Sequence, residues 1–149
     1  MSGGLTLTLR PGEKFLVGGN LIQNGPRRSS VRICDDGVFV LRLSDALHPE
    51  EVTTPVRRAY HVAQMILATE TSVEEGQTDL IDRLTQLCSI FEGTPEESLL
   101  ARCLACAEEA RFYGVLMGLK SLFTVEDRLL QTGVADDTYA AKCAIAGRR

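Results

Sequence analysis

The chain has 149 residues, 44% hydrophobic and 24% charged, with a formal net charge of −4. That length allows one domain with its own core, or one with a small appendage, and the acidity argues against a histone-like nonspecific nucleic-acid binder. No apolar run is long enough to span a bilayer, and Met1-Ser2-Gly3-Gly4 lacks the basic and apolar regions of a secretory signal, so a cytoplasmic protein without membrane contact is expected.

The N-terminal third has a period of two. Leu5, Leu7 and Leu9 alternate with Thr6, Thr8 and Arg10, the pattern of a half-buried strand. Pro11-Gly12, Gly18-Gly19 and Asn24-Gly25-Pro26 mark turns, because each supplies a preset or a left-handed backbone angle. Asp36-Gly37 carries a two-residue hairpin signal between Val31-Arg32-Ile33 and the run from Val38 to Leu43. The expectation is a meander of four or five short antiparallel strands.

The period then changes. Leu47 to Glu51 reads as a short helical turn with acids near its positive end. Thr54-Pro55 starts a helix predicted to reach about Thr69, with Thr as cap and Pro at the first helical position. Glu70 to Thr78 reads as a polar loop and Asp79 to Phe91 as a second helix ended by Gly93. Thr94-Pro95-Glu96-Glu97 has capping-box spacing for a third helix. Its apolar stripe persists through Phe123, as one long helix or as two broken near Gly114 or Gly118, and helical character continues to Gly133. The fold class is therefore α+β: a small antiparallel β unit over 1–47, a helical bundle over 48–133 and a flexible tail over 134–149. So small a sheet needs a cover, from the helices or from a second copy pairing with its edges as a homodimer.

The residues offer no catalytic site. The glycines form neither a P-loop nor a dinucleotide fingerprint, and Ser29 and Ser30 lack a nucleophile context. The adjacent carboxylates Glu50-Glu51, Glu74-Glu75, Glu96-Glu97 and Glu108-Glu109 suit helix first turns and solvated faces. His48 before Pro49 reads as a turn residue and His61 as a helix surface residue. The cysteines are Cys34, Cys88, Cys103, Cys106 and Cys143, an odd number that argues against a disulfide framework. Cys103 and Cys106 lie within a helical pattern without a second ligand pair, so they read as small buried apolar residues; neither metal nor cofactor is expected.

Charge is segregated. Residues 1–69 hold eight basic and six acidic residues, whereas 70–149 hold eight and fourteen. The candidate binding set is Arg10, Lys14, Arg27, Arg28, Arg32 and Arg42, on strands or beside turns of the β unit, where guanidinium groups fork onto phosphates or stack on bases. The competing reading is a solvated strand face with charges that guard its edges. Arg57-Arg58 sits at the unfavourable end of its helix dipole, which calls for a partner or an acidic neighbour such as Glu50 or Glu51.

Three runs carry a resemblance: T-L-R-P-G-E-K-F-L-V-G-G from Thr8, N-G-P-R-R-S from Asn24, and V-L-R-L-S-D-A-L-H-P-E-E-V-T-T-P-V-R-R from Val40. They resemble the FlbT family of flagellin regulators. The resemblance implies a cytosolic post-transcriptional regulator that associates with the 5′ untranslated region of flagellin mRNA, affects its translation and decay, and acts beside FlaF; repression is the expected sign. The opening L-T-L-R-P-G-E-K-F-L-V-G, with the later V-R-I, is also similar to the CsrA family of mRNA-binding dimers. That likeness would place RNA contacts near Thr8 and Arg10, although Pro11 stands where that family has a second Arg. Two functions follow as expectations: an mRNA-binding repressor using the basic β surface, or an adaptor whose helical part binds flagellin or FlaF.

Overall fold

A computed structural model describes residues 5–35 and 37–131. The predicted tail over 134–149 lies outside the described residues. Strands β1 (Leu5–Leu9), β2 (Lys14–Val17), β3 (Asn20–Gln23), β4 (Ser29–Ile33) and β5 (Val40–Arg42) precede helices α1 (Pro55–Leu67), α2 (Val73–Ile90), α3 (Glu97–Glu108), α4 (Phe112–Lys120) and α5 (Phe123–Gln131). The class is α+β, as the residue patterns predict.

The strands do not pair in simple succession. β1 pairs with β4, and β2 lies between β3 and β5, giving two small antiparallel sheets. The turn at Gly18-Gly19 closes the β2–β3 hairpin with φ of +56° and +81°, the left-handed pair that glycine adopts without strain. The hairpin expected at Asp36-Gly37 does not form. Its flanking strands belong to different sheets, and Asp36 itself lies outside the described residues. Gly37 N donates to Asp35 Oδ1 at 2.9 Å, and this corner passes the chain from one sheet to the other.

The two faces of the β2–β5 pair explain this arrangement. Phe15 and Val40 are buried with Leu7 and Leu9, and Leu5, Val17, Val31 and Ile33 pack around them. Strand alternation turns Leu16 and Leu41 the other way, into the helical core with Tyr60, Ile66, Leu84 and Phe112. The β2–β5 pair is thus a middle layer between the β1–β4 sheet and the helices. Within the helical part α1 packs on α2 and α4, and α3 packs on the same two.

Helix boundaries follow caps. Thr54 Oγ1 accepts from Arg57 N, and Pro55 occupies the first turn of α1 as expected. α2 starts six residues before the predicted Asp79. The segment read as a loop contains Ser72, whose hydroxyl accepts from Glu75 N at 3.3 Å. Conversely, α3 starts later than expected: Thr94 Oγ1 donates to Phe91 O at 2.6 Å and caps nothing, while Glu97 Oε1 accepts from Gly93 N. The α3–α4 break falls at Ala110, with φ +61°, where Arg111 N reaches back to Cys106 O at 2.8 Å.

Neither Gly114 nor Gly118 breaks a helix; both sit where α4 crosses α3. A Cβ at Gly118 would overlap Cys103 Sγ, and one at Gly114 would lie 3.3 Å from Cys106 Sγ. The i, i+3 thiols of α3 therefore fill the space left by the i, i+4 glycines of α4. Burial, then the neighbouring Cys106, pushes the Cys103 thiol up to about 11. No cluster of three or more His, Cys, Asp or Glu able to hold a metal occurs among the described residues.

Gly118→Ala should lower unfolding free energy by about 1–3 kcal/mol in urea titrations, despite Ala's better helix propensity, because the methyl overpacks the crossing. Cys103→Ala in the same chain should recover most of that loss by removing the opposing sulfur. At pH 8 the exposed Cys34 should react with a small alkylating reagent while Cys103 stays unmodified until unfolding, as read by peptide mass spectrometry.

Candidate nucleic-acid interface

The β1–β4 sheet buries one face and exposes the other. Leu5, Leu7 and Leu9 lie opposite Ile33, Val31 and Ser29, with Leu7 and Leu9 fully buried. The alternate positions pair Thr6 with Arg32 and Thr8 with Ser30, and all four are exposed. The outer face therefore presents three hydroxyl side chains and a guanidinium, groups that donate to phosphate and sugar oxygens.

One end of this sheet is stitched by a single amide. Asn24 Nδ2 donates to Arg10 O at 2.7 Å and Arg27 O at 2.9 Å, with a longer contact to Leu9 O at 3.4 Å. Ser29 Oγ donates to Asn24 Oδ1 at 2.7 Å. Arg10 N donates to Glu13 Oε1 at 2.9 Å, and Gly12 N to Gly25 O at 2.9 Å. Two turns distant in sequence are thus locked together. Their lock brings the main chains of Arg10 and Arg27 to one site, with Arg28 leading directly into β4.

The structure distributes the six predicted residues unequally. Arg10, Arg27 and Arg28 gather at the stitched end, and Arg32 lies along the outer face. All four are exposed, and no carboxylate pairs with them among the described residues. Lys14 is exposed, but strand alternation puts it on the helix-facing side of β2, away from this group. Arg42 is engaged internally: it pairs with Glu13 at 3.1 Å and donates to Thr8 O at 3.0 Å, tying β5 to β1. Asn24 escaped the sequence reading. Its Asn-Gly-Pro run marked a turn, but its bonds span up to fifteen residues and leave no local pattern.

Arg57 also finds its partner far away. Its guanidinium bonds Glu126 Oε1 at 2.7 Å, pairs with Asp127 at 3.2 Å and covers the Phe123 ring at 4.5 Å. The buried Glu126 carboxylate also accepts from Val56 N at 3.1 Å and from the Thr54 hydroxyl. The acid that balances the N-terminus of α1 is therefore on α5, not at the expected Glu50 or Glu51. Those two acids belong to a single turn, Pro49–Glu51, where Glu51 Oε1 accepts from His48 N at 2.8 Å.

Two other surfaces differ in character. Glu74, Glu75, Asp79 and Asp82 make one side of α2 acidic. A cleft of about 330 Å³ opens between the β4–β5 corner and the start of α4, with Val38, Phe39, Leu67 and Phe112 among its walls and Asp35 and Arg111 among its polar residues. Phe39 and Phe112 meet edge to face with centroids 5.7 Å apart. No helix among the described residues is long and apolar enough to cross a membrane.

The family model described as Flagellar protein FlbT matches residues 5–130. A "Probable flagellum biosynthesis repressor protein FlbT" of Caulobacter sp. (strain K31) is 33% identical over 129 residues, covering 85% of this chain and 95% of that protein. The "Flagellum biosynthesis repressor protein FlbT" of Caulobacter vibrioides (strain ATCC 19089 / CIP 103742 / CB 15) is 32% identical over 129 residues, covering 85% and 89%. A "Probable flagellum biosynthesis repressor protein FlbT" of Rhizobium leguminosarum bv. trifolii (strain WSM2304) is 28% identical over 130 residues, covering 87% and 86%. These are names of regulators, not of enzymes. No solved structure matches the chain. A match that runs through both the basic β unit and the helices shows that the chain belongs to the FlbT family.

Proposed function

We propose that this chain represses flagellum biosynthesis by binding the 5′ leader of flagellin mRNA through the outer β1–β4 face, thereby limiting translation and message lifetime. The repressor role is that named for its relatives. One observation carries the RNA reading: four basic side chains without a carboxylate partner among the described residues border a face of exposed hydroxyls. A guanidinium held in an ion pair must give it up before it can bind phosphate, and among the described residues Arg10, Arg27, Arg28 and Arg32 have no such pair to break. The acidic side of α2 repels a polyanion, so charge also orients the protein on RNA.

A second reading rests on the cleft at Phe39 and Phe112. Its apolar walls suit a protein side chain better than a phosphate backbone, and flagellin or FlaF would be the partner of an adaptor acting on mRNA indirectly.

Equilibrium binding of the purified protein to a flagellin mRNA leader across a salt series separates the two. Direct binding predicts a log–log slope of several phosphate contacts. Arg27→Ala with Arg28→Ala should weaken binding and make that slope shallower by about 1.4–1.8, at 0.7–0.9 per phosphate. Binding that is absent, or independent of salt, together with tight capture of flagellin or FlaF, would refute the RNA reading. Asn24→Ala should weaken RNA binding without removing any charge, because the turns that hold Arg10 and Arg27 lose their common amide; an unchanged affinity would show that the stitch does not organise the site.

A further inference from the structure

Among the described residues, β3 is an open edge of unusual composition. It ends the order β3-β2-β5, and all four of its residues are exposed. Leu21 is 60% exposed and Ile22 41%, two of the five exposed large hydrophobic residues of the described chain. From Val17 to Pro26 no residue is charged. Sheet edges are normally guarded by charge, proline or a covering element. The β4 edge has such guards in Arg28 and Arg32, β1 runs into Arg10, and β5 carries Arg42.

The hydrogen-bond parity of this edge follows from its hairpin. The two-residue turn at Gly18-Gly19 makes Val17 and Asn20 the first bonded pair, so Phe15 and Ile22 are the next. Asn24 N donating to Glu13 O at 2.8 Å continues the same parity. The N–H and C=O groups of Leu21 and Gln23 therefore point away from β2, toward the open side.

We propose that β3 is the self-association edge of this protein, pairing antiparallel with β3 of a second copy about a two-fold axis at Ile22. Such an axis stands perpendicular to the sheet and sets Ile22 against its own copy and Leu21 against Gln23 of the other chain. Both Leu21–Gln23 pairs then exchange N–H···O bonds, using all the outward groups of the strand. An axis at Leu21 would instead recruit Gly19, whose φ of +81° belongs to the turn. The result is one six-stranded sheet, β5-β2-β3-β3-β2-β5, with the two Ile22 side chains in contact. A two-fold contact places each residue near its own image, so a charged edge repels itself. Among the described strands, β3 alone joins an uncharged edge to exposed large apolar side chains, so a second copy meets no like charge there and covers Leu21 and Ile22, which selects a copy of this chain as the occupant. Pairing at β3 does not depend on RNA binding. It is compatible with either reading above.

Sedimentation equilibrium of the full chain tests it. Wild type should show about twice the 16.3 kDa chain mass at micromolar concentrations. Ile22→Lys and Leu21→Lys should each give a monomer with unchanged far-UV circular dichroism, whereas Leu130→Lys, at another exposed hydrophobic, should remain dimeric. As a folding-independent arm, Ile22→Cys with Cys34→Ser and Cys143→Ser should form an intermolecular disulfide under mild oxidation. Opposed residues of a non-bonded antiparallel pair lie about 4.5 Å apart at Cα, within disulfide reach. A monomeric wild type would overturn the proposal, including one in which residues 132–149 protect the Leu21 and Gln23 amides from exchange. So would a dimer that survives both lysine substitutions, or failure of Ile22→Cys to cross-link.

Discussion

The two-sided burial of the β2–β5 pair is the constraint on which the rest depends. Phe15, Val17 and Val40 fill the space under β1–β4, while Leu16 and Leu41 enter the helical core. Apolar burial contributes on the order of 25 cal/mol per Å², and a β unit this short would be marginal with only one covered face. The outer sheet can afford a polar outward face because Leu7 and Leu9 are buried on its inner face, with Leu5, Val31 and Ile33 packed around them. Arg42 closes the same construction from the edge, binding Glu13 and the Thr8 carbonyl across the two sheets.

The helical part is held at its entry by an interaction of opposite character. Thr54, Val56 N and Arg57 converge on the buried carboxylate of Glu126, so α5 supplies the negative charge that the first turn of α1 lacks. The linker before α1 is tied down similarly. Gln64 accepts from Leu47 N at 2.7 Å and Tyr60 Oη donates to Asp45 O, while the Asp45 side chain pairs with Lys120 at 2.6 Å. These contacts fix the sheets on the helices, so the basic loop end has a definite position relative to the acidic side of α2.

Local rules made much of this legible. Period-two leucines, the Gly18-Gly19 turn and the Thr54-Pro55 start follow from backbone geometry and capping, and the structure contains each of them. The strand partners were not legible, because Asp36-Gly37 has good hairpin chemistry and the choice against it is made by Phe15 and Val40 burying beneath β1–β4. Likewise Thr94 has the chemistry of a cap but bonds backward to Phe91, while Ser72 acts as a cap inside a polar run. The candidate site was half legible. Arg27, Arg28 and Arg32 stand out as basic residues beside turns, but their lack of an ion-pair partner among the described residues, the internal engagement of Arg42 and the bonds of Asn24 are tertiary facts. The resemblance to the FlbT family was legible in long motifs between Thr8 and Arg58, and the family match extends it over residues 5–130.

The proposed RNA-binding surface is the outer β1–β4 face and its stitched loop. Ultraviolet cross-linking of the full chain to a flagellin mRNA leader, with peptide mapping of the adducts, tests it most directly. Adducts should concentrate in the peptides carrying residues 6–10 and 27–32, and should disappear with Arg27→Ala and Arg28→Ala. Adducts confined to the helices, or to the cleft at Phe39 and Phe112, would contradict the assignment.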